Sequence, residues 1–208
     1  MADTTQTLTI RAPNLRTLAV QIIGKSPYMQ HRFSKKAEIM AKQQQGSTGK
    51  SKKQHAARDF ERDYEEAKHL SVEGWCGIPA PAIRAALISA CRLVGFAMTK
   101  AKLSVFVEAD GNCAKDGTPL IRITQGNPEM VTLPVRNETG VVDIRSRPMW
   151  RTWGADVRLT FDADQFTSTD VVNLLMRAGL QVGIGEGRPD SKKSAGMGYG
   201  LFTVEMAA

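Results

Sequence analysis

A stretch near the end of the sequence, residues 182–200 (VGIGEGRPDSKKSAGMGYG), combines six glycines with three cations. Glycine inside a helix or strand costs roughly 0.5–1 kcal/mol relative to alanine, so this stretch is predicted to be a loop. Glycine also lets the main chain approach a ligand closely, and successive main-chain N–H groups can form a concave anion site. Arg188, Lys192 and Lys193 add positive charge. The stretch therefore predicts a loop that holds phosphate groups.

A second concentration of positive charge lies in residues 32–62, where nine Lys and Arg residues stand against three acidic residues. Its centre, QQQGSTGKSKK, contains the Gly-Lys-Ser of a phosphate loop, but Gln44 occupies the position of the first required glycine. We therefore exclude a nucleotide-hydrolase site. The stretch is predicted to be a solvated tip, either a plain connection between helices or an arm whose Lys50, Lys52 and Lys53 contact a phosphate backbone.

The cysteines and histidines do not have the spacing of a disulfide framework or of a metal site. The three cysteines form no C-x-x-C pair, and the three histidines have neither H-x-H nor H-E-x-x-H spacing. These residues are Cys76, Cys91, Cys113, His31, His55 and His69. We therefore predict no disulfide, no metal and no cofactor.

The net charge of +7 and the pI near 9.5 favour polyanionic partners, nucleic acid first and an anionic membrane surface second. The opening residues, MADTTQTLTI, lack the cationic and apolar regions of a secretory leader. No stretch approaches the ~20 apolar residues of a membrane span. The sequence therefore predicts a cytoplasmic protein without a membrane partner.

Hydrophobic periodicity predicts four main strands and two core helices. The strands are predicted at 16–23, 102–109, 154–162 and 201–206. One core helix is predicted from Pro81 to a stop at Gly95. The other follows a capping box at Thr167 and Asp170 and is predicted to stop at Gly179. A further, charge-rich helix is predicted at about 54–70.

The order of these elements is strand, helix, strand, strand, helix, strand, which predicts an α+β protein with a ferredoxin-like (RRM-like) βαββαβ core. We expect a single domain over residues 1–208. It would carry a basic helical insertion at about 35–70 and a β-hairpin insertion at 112–148, the latter formed by LIRIT pairing with MVTLPVRN. Domains of this topology bind RNA across the open face of the sheet.

Three segments resemble the RAMP superfamily of CRISPR-associated proteins, and in particular the subunits that form the backbone along a guide RNA. The segment VGIGEGRPDSKKSAGMGYGLF resembles the family's glycine-rich loop between the last helix and the last strand. IIGKSPYMQHRF is similar to the first strand and the loop after it, and GIPAPAIRAALISACR to the proline-initiated first helix. Together the three segments cover about a quarter of the chain.

The resemblance implies RNA binding by the loop after the first strand, the start of the first helix and the glycine-rich loop. The residues it implies are Tyr28, His31, Arg32, Arg84, Gly183, Gly185, Gly187, Arg188, Lys192, Lys193, Gly196, Gly198 and Tyr199. Tyr28 and Tyr199 are the favoured candidates for stacking on bases. Trp150 and Trp153 could also stack, but a Trp at the edge of a strand more often packs inside the protein, which is the interpretation we favour. The two insertions are candidates for the family's thumb, which contacts the neighbouring subunit.

We therefore predict a non-catalytic protein that binds single-stranded nucleic acid, RNA before DNA. It would assemble along the strand with copies of itself and other ribonucleoprotein subunits, in a CRISPR system or in a phage or mobile-element pathway. One alternative is a metal-independent endoribonuclease with His31 as general acid–base. Others are a phage protein that binds or anneals single-stranded DNA, and a phage assembly protein whose basic stretch binds another protein.

Overall fold

The computed structural model describes residues 10–32, 59–136, 142–191 and 195–206, which form α+β structure with three antiparallel sheets. The strands are β1 (Leu15–Gly24), β2 (Tyr28–Met29), β3 (Gly77–Pro79), β4 (Val105–Val107), β5 (Gly111–Asn112), β6 (Pro119–Arg122), β7 (Glu129–Arg136), β8 (Val142–Trp150), β9 (Gly154–Asp162) and β10 (Phe202–Met206). The helices are α1 (Phe60–Ala67), α2 (Ala80–Ala90), α3 (Met98–Ser104) and α4 (Ser168–Arg177).

The largest sheet has four strands in the order β10-β1-β9-β4. Strand β1 lies at its centre and pairs with β9 from Leu15 to Ile23 and with β10 from Val20 to Gly24. The strands predicted at 16–23, 154–162 and 201–206 are therefore confirmed. In each of them apolar residues recur at every second position, which gave a period of two, and in 154–162 the alternation with polar residues is strict.

Alternate residues of this sheet form the hydrophobic core together with α2 and α4. Val20 pairs with Val157 and Ile22 with Ala155, and all four side chains are buried. Ile83 and Leu87 of α2, like Val171 and Leu175 of α4, belong to the same buried cluster. The other sheet face carries polar side chains, including Gln21, Asp156 and Arg158. The sheet is therefore covered by helices on its apolar face.

Helix α2 begins with Pro81 in its first turn and continues into a 3₁₀ turn, Cys91–Val94. Gly95 then stops it with a φ of 69°, as predicted. The capping box at Thr167 and Asp170 is also confirmed.

The predicted stop of α4 at Gly179 is wrong, because the chain continues through a π-helical turn, Ala178–Val182, and stops at Gly183. A Cβ at Gly179 would lie 2.3 Å from the carbonyl oxygen of Phe202. Because Gly179 has no side chain, the π-helical turn can lie this close to β10.

Two further predictions are corrected by the structure. The strand predicted at 102–109 is only Val105–Val107. Leu103, which was predicted on its apolar face, lies in helix α3 and is 79% exposed. The expected hairpin of LIRIT with MVTLPVRN does not form. Strand β6 pairs with β3 and β5 instead, whereas β7 pairs with β8. The apolar residues of β6 are buried against β3, which residue spacing alone does not reveal.

Helix α1 occupies the second half of the helix predicted at 54–70, and residues 54–58 lie outside the described residues. Asp59 caps it by accepting a hydrogen bond from the main-chain N–H of Arg62 at 3.0 Å. Among the described residues, no helix is both long and apolar enough to cross a membrane.

Candidate nucleic-acid interface

All six glycines of the loop between α4 and β10 have a positive φ, between 68° and 80°. These are Gly183, Gly185, Gly187, Gly196, Gly198 and Gly200. Side chains disfavour this region of conformational space, which glycine enters freely. The predicted need for glycine in this loop therefore has a backbone cause. We call residues 183–200 the glycine loop.

The glycine loop is folded tightly onto itself and onto the segment after β1. Ile184 donates its N–H to the carbonyl oxygen of Gly200 at 3.0 Å, and Gly200 donates to that of Pro27 at 2.8 Å. Glu186 donates to the carbonyl oxygen of Met29 at 2.9 Å. These bonds fix the loop against β2.

Three of the glycines are required by this packing itself. A Cβ at Gly200 would lie 1.8 Å from the carbonyl oxygen of Ile184, and one at Gly196 would lie 2.1 Å from that of Arg188. A Cβ at Gly185 would lie 2.5 Å from the carbonyl oxygen of Met29. Gly198 differs, because nothing lies within 4 Å of its Cβ position. Gly198 is therefore the position where the main chain borders open space.

Main-chain N–H groups of the loop remain available to a ligand. Within the part of the chain that the structure describes, the N–H groups of Gly185, Gly187, Arg188 and Gly198 donate no hydrogen bond. An unpaired N–H bonds readily to an anionic oxygen, and several in one loop form an anion site. The loop thus has unpaired N–H donors, and their binding of phosphate stays a prediction.

The loop and the first turns of α2 line a shared groove of about 150 Å³. Ala82 and Ala85 of α2 face Gly183, Gly185 and Arg188 across it. The N-cap residue of the helix is Pro79, which provides no side-chain cap, so the positive end of the helix dipole is not neutralised there by a capping side chain. Small side chains on one wall and glycine on the other leave room for a phosphate-sized group.

Two charged residues of the loop contact the groove walls. The Nη1 group of Arg188 donates to the carbonyl oxygen of Gly185 at 2.9 Å. Asp190 accepts hydrogen bonds from Ser89 and from Arg92, whose Nη2 lies 2.7 Å away. The hydrogen bond from Ser89, followed by the contact with Arg92, lowers the pKa of Asp190. This acid is therefore ionised and already neutralised by a cation.

Glu186, an acid of the glycine loop beside β2 and β8, contacts one cationic side chain and one histidine. Arg147 of β8 is 7% exposed and donates from Nε to Oε2 of Glu186 at 2.9 Å. Nδ1 of His31 lies 3.6 Å from the same oxygen. Arg145, two residues before Arg147, also acts electrostatically on His31. A carboxylate thus lies where two groups that suit a phosphate converge.

The pKa of His31 is lowered from its usual value. Burial is the largest cause, the positive charge of Arg147 adds to it, and Glu186 opposes it. His31 is therefore a neutral imidazole at pH 7, with its side chain 38% exposed. A neutral imidazole offers one hydrogen-bond donor and one acceptor to a ligand.

The predicted exposure of Tyr28 is wrong. Tyr28 is 1% exposed in β2, packed between Trp150 and Trp153 with ring centroids 5.7 and 5.2 Å away. Burial raises the pKa of its hydroxyl, which accepts a hydrogen bond from Gln30. Its ring supports the glycine loop, since a Cβ at Gly185 would meet it at 2.7 Å, and it cannot stack on a base. Trp150 and Trp153 are core residues, as predicted.

Two predicted cations are held by acceptors of the protein itself, Arg32 in the interior and Arg84 at the partly exposed start of α2. Arg32 is 5% exposed, and its Nη1 lies 3.6 Å from Oδ2 of Asp116. Arg84 donates to the carbonyl oxygens of Lys102 and Val105, and its guanidinium lies 5.1 Å from the Phe106 ring. Both are bound away from the groove by acceptors that sequence spacing does not reveal. The expectation that these two side chains line the site is therefore wrong.

Tyr199 remains at the loop, where its ring covers Gly187 and the side chain is half-buried. Five predicted lysines lie outside the described residues: Lys50, Lys52, Lys53, Lys192 and Lys193.

No family model and no curated protein matches this chain. The assignment of the site therefore depends on its geometry. A second groove, of about 890 Å³, lies between α4 and the segment 94–96. Its lining includes Phe96, Phe166, Leu174 and Leu180 and has a single Arg, Arg177. It suits an apolar occupant better than a phosphate, so we assign the candidate interface to the glycine loop.

Arg145, Arg147 and Glu186 were not predicted as site residues. Arg145 and Arg147 lie in a strand that the sequence assigned to an insertion, and their neighbours in space come from residues 31 and 186. The sequence feature that could have indicated Arg145 and Arg147 is their R-x-R spacing, which puts both side chains on one face of a strand. That face meets the glycine loop only in the folded chain.

Proposed function

We propose that this protein binds single-stranded nucleic acid, RNA in the first place, without cutting it. The observation that carries the proposal is the glycine loop, whose six glycines have positive φ and whose unpaired N–H groups border the start of α2. Arg188 lies in the loop, and Arg145, Arg147 and His31 lie beside it. Main-chain donors with flanking cations suit a repeating phosphate backbone and carry little base preference.

The order of elements supports a ferredoxin-like core and, with it, a relationship to the RAMP proteins. Helix α2 lies between β1 and β4 in the chain, and α4 lies between β9 and β10. The sheet order β10-β1-β9-β4 is the fourth-first-third-second order of a split βαβ fold. We propose that the three RAMP-like segments reflect this common core.

We further propose that copies of the protein line up along the strand. The β7–β8 hairpin is the candidate contact with a neighbouring copy, and it exposes Met130 and Ile144 by 49% and 51%. In the proposed assembly these two side chains would be covered by the neighbouring copy. Cys76, Cys91 and Cys113 are free thiols, which supports the proposed cytoplasmic location.

The affinity for single-stranded RNA should fall steeply with salt. Each phosphate contact contributes about 0.7 to the slope of log K against log salt for single strands, so we expect a slope of magnitude above ~2. Fluorescence anisotropy with labelled oligonucleotides of several lengths and unrelated sequences measures it. DNA of the same sequences should bind more weakly. A salt-independent affinity, or binding of one sequence only, would contradict the proposal.

A second candidate function is metal-independent RNA cleavage, and the pair of His31 and Glu186 is the observation that favours it. A base and an acid beside two arginines are the groups that acid–base cleavage at a phosphate uses. One observation argues against cleavage. The carboxylate of Glu186 accepts a hydrogen bond from Nε of Arg147 at 2.9 Å, so it is already engaged and not free to exchange a proton with RNA.

We expect no cleavage when the protein is incubated with labelled RNA in EDTA. His31→Ala should leave the RNA equally intact, because we assign His31 a binding role only. RNA fragments ending in a 2′,3′-cyclic phosphate, formed by the wild type and not by His31→Ala, would establish the nuclease and refute the non-catalytic proposal.

A further inference from the structure

His69, Cys113 and Asp116 form a cluster that belongs to none of the contacts described for the glycine loop. One ring nitrogen of His69, Sγ of Cys113 and one carboxylate oxygen of Asp116 all lie within 4.8 Å of one another. Nitrogen, sulfur and oxygen donors of these three types are the ligands of zinc in proteins. A tetrahedral zinc site places its ligand atoms about 3.3–3.8 Å apart, so small side-chain rotations close this cluster around an ion.

The main chain holds the three residues in register. Ser71 forms an antiparallel bridge with Cys113, and Ala114 donates its N–H to the carbonyl oxygen of Leu70 at 2.9 Å. His69 thus lies at one end of a paired segment whose partner carries Cys113. The ligands therefore come from two segments that the fold joins rigidly, and a rigid frame favours metal binding.

A tight turn brings Cys113 and Asp116 together. Gly117 has a φ of 72° and donates its N–H to the carbonyl oxygen of Cys113 at 2.9 Å. Cys113 and Asp116 are three positions apart, the same separation as in the C-x₂-C turns of structural zinc sites. The sequence search for C-x-x-C pairs missed this turn because its second donor is an aspartate.

One ring nitrogen of the cluster is buried without a partner. Nδ1 of His69 has no hydrogen-bond partner among the described residues. A buried polar atom that is left unpaired costs free energy, and a ligand that satisfies it removes this cost. The unpaired nitrogen is therefore a second observation, beside the distances between the donor atoms, that indicates a bound ligand.

Arg32 and Thr118 contact Asp116 from outside the cluster. Nη1 of Arg32 lies 3.6 Å from Oδ2, and the main-chain N–H of Thr118 donates to Oδ1 at 3.0 Å. Carboxylates that ligate metals are typically hydrogen-bonded by such outer groups, which orient them. The positive charge of Arg32 opposes a divalent cation, and the negative charges of Asp116 and of a Cys113 thiolate compensate for it. This contact also gives a reason for the burial of Arg32.

We propose that His69, Cys113 and Asp116 form a zinc site with three protein ligands and a fourth position open to water or to a partner's side chain. The ion would fasten the turn at Cys113–Asp116 to the segment that follows α1. This segment connects the basic stretch to α2. The proposal does not depend on nucleic-acid binding, because the three ligands lie outside the groove.

Cobalt(II) provides the direct test, because a thiolate bound to cobalt gives an intense near-ultraviolet absorption and tetrahedral cobalt gives visible bands. Purified wild-type protein, stripped with a chelator and reduced, should bind one equivalent of cobalt with both signals. Zinc should then displace the cobalt, and elemental analysis should give one zinc per chain.

Variants identify the ligands. Cys113→Ser should abolish the near-ultraviolet band, and Asp116→Asn should weaken cobalt binding at least about tenfold. The matched control is Cys91→Ser, since Cys91 is buried and donates its thiol to the carbonyl oxygen of Leu87, away from the cluster. Circular dichroism checks the fold of each variant. An absent thiolate band in wild type would overturn the proposal even if no variant folds. Loss of the band in Cys91→Ser with its retention in Cys113→Ser would also overturn it.

Discussion

A Gly198→Val variant should fold like the wild type and lose at least about tenfold in affinity for single-stranded RNA. Nothing lies within 4 Å of the Cβ position at Gly198, so the new side chain meets no protein atom there. It projects instead into the space in front of an unpaired N–H group. A branched side chain also disfavours the φ of 74° at this residue. Both effects remove main-chain contacts with phosphate.

The matched control is Gly95→Val, at a glycine with a φ of 69° and nothing within 4 Å of its Cβ position. It creates the same backbone strain at the end of the α2 region, away from the glycine loop. The two variants should lose similar thermal stability, while only Gly198→Val loses affinity. The loss should persist at low salt, because its cause is steric. Equal affinity of Gly198→Val and wild type would show that the loop is a connection only.

Replacing Arg147 by Met should lower the free energy of unfolding by about 2 kcal/mol. The same replacement should also weaken RNA binding. The side chain is 7% exposed and neutralises Glu186, which is 23% exposed. Removing one partner of a buried pair leaves an uncompensated charge, which costs about 3–5 kcal/mol when burial is complete and less here. Since Glu186 also bonds to Met29 through its N–H, the glycine loop should loosen at this point. Urea unfolding and anisotropy measure the two effects.

A double variant separates charge from packing. Arg147→Met combined with Glu186→Gln should recover more than half of the lost stability, because the unpaired carboxylate is gone. Arg151→Met is the control, since its Nε lies 2.8 Å from Glu129 but the two side chains are 64% and 54% exposed. An exposed pair contributes little, so this variant should stay within about 0.5 kcal/mol of wild type. Equal destabilisation by Arg147→Met and Arg151→Met would contradict the role of the buried pair.

The sequence predicted those elements whose cause is local. Strand β9 alternates apolar and polar residues over its whole length, and the capping box at Thr167 needs only a partner three residues away. The glycines of the loop were predicted for the same reason, because positive φ is a property of each residue by itself. These features depend on neighbours along the chain, which the sequence displays directly.

The sequence did not predict what depends on distant partners. The residues next to Tyr28 along the chain predict a loop, yet in the fold Trp150 and Trp153 enclose its ring. Arg84 was assigned to the site from its place in α2, but the carbonyl oxygens of Lys102 and Val105 hold it on another side of the helix. The cluster at Glu186 needs residues 31 and 147 to meet, and only the fold brings them together. Contacts between residues so far apart in the chain leave no periodic pattern in the sequence.

The most direct test is whether the protein, purified from its host at low salt, carries nucleic acid. The ratio of nucleic-acid to protein absorbance measures the amount, and digestion of the extracted material with RNase or DNase identifies it. We predict single-stranded RNA that RNase removes and that high salt releases from the wild type, with much less retained by Gly198→Val. Protein that is free of nucleic acid and also fails to bind added single-stranded RNA or DNA at low salt would contradict the proposed function.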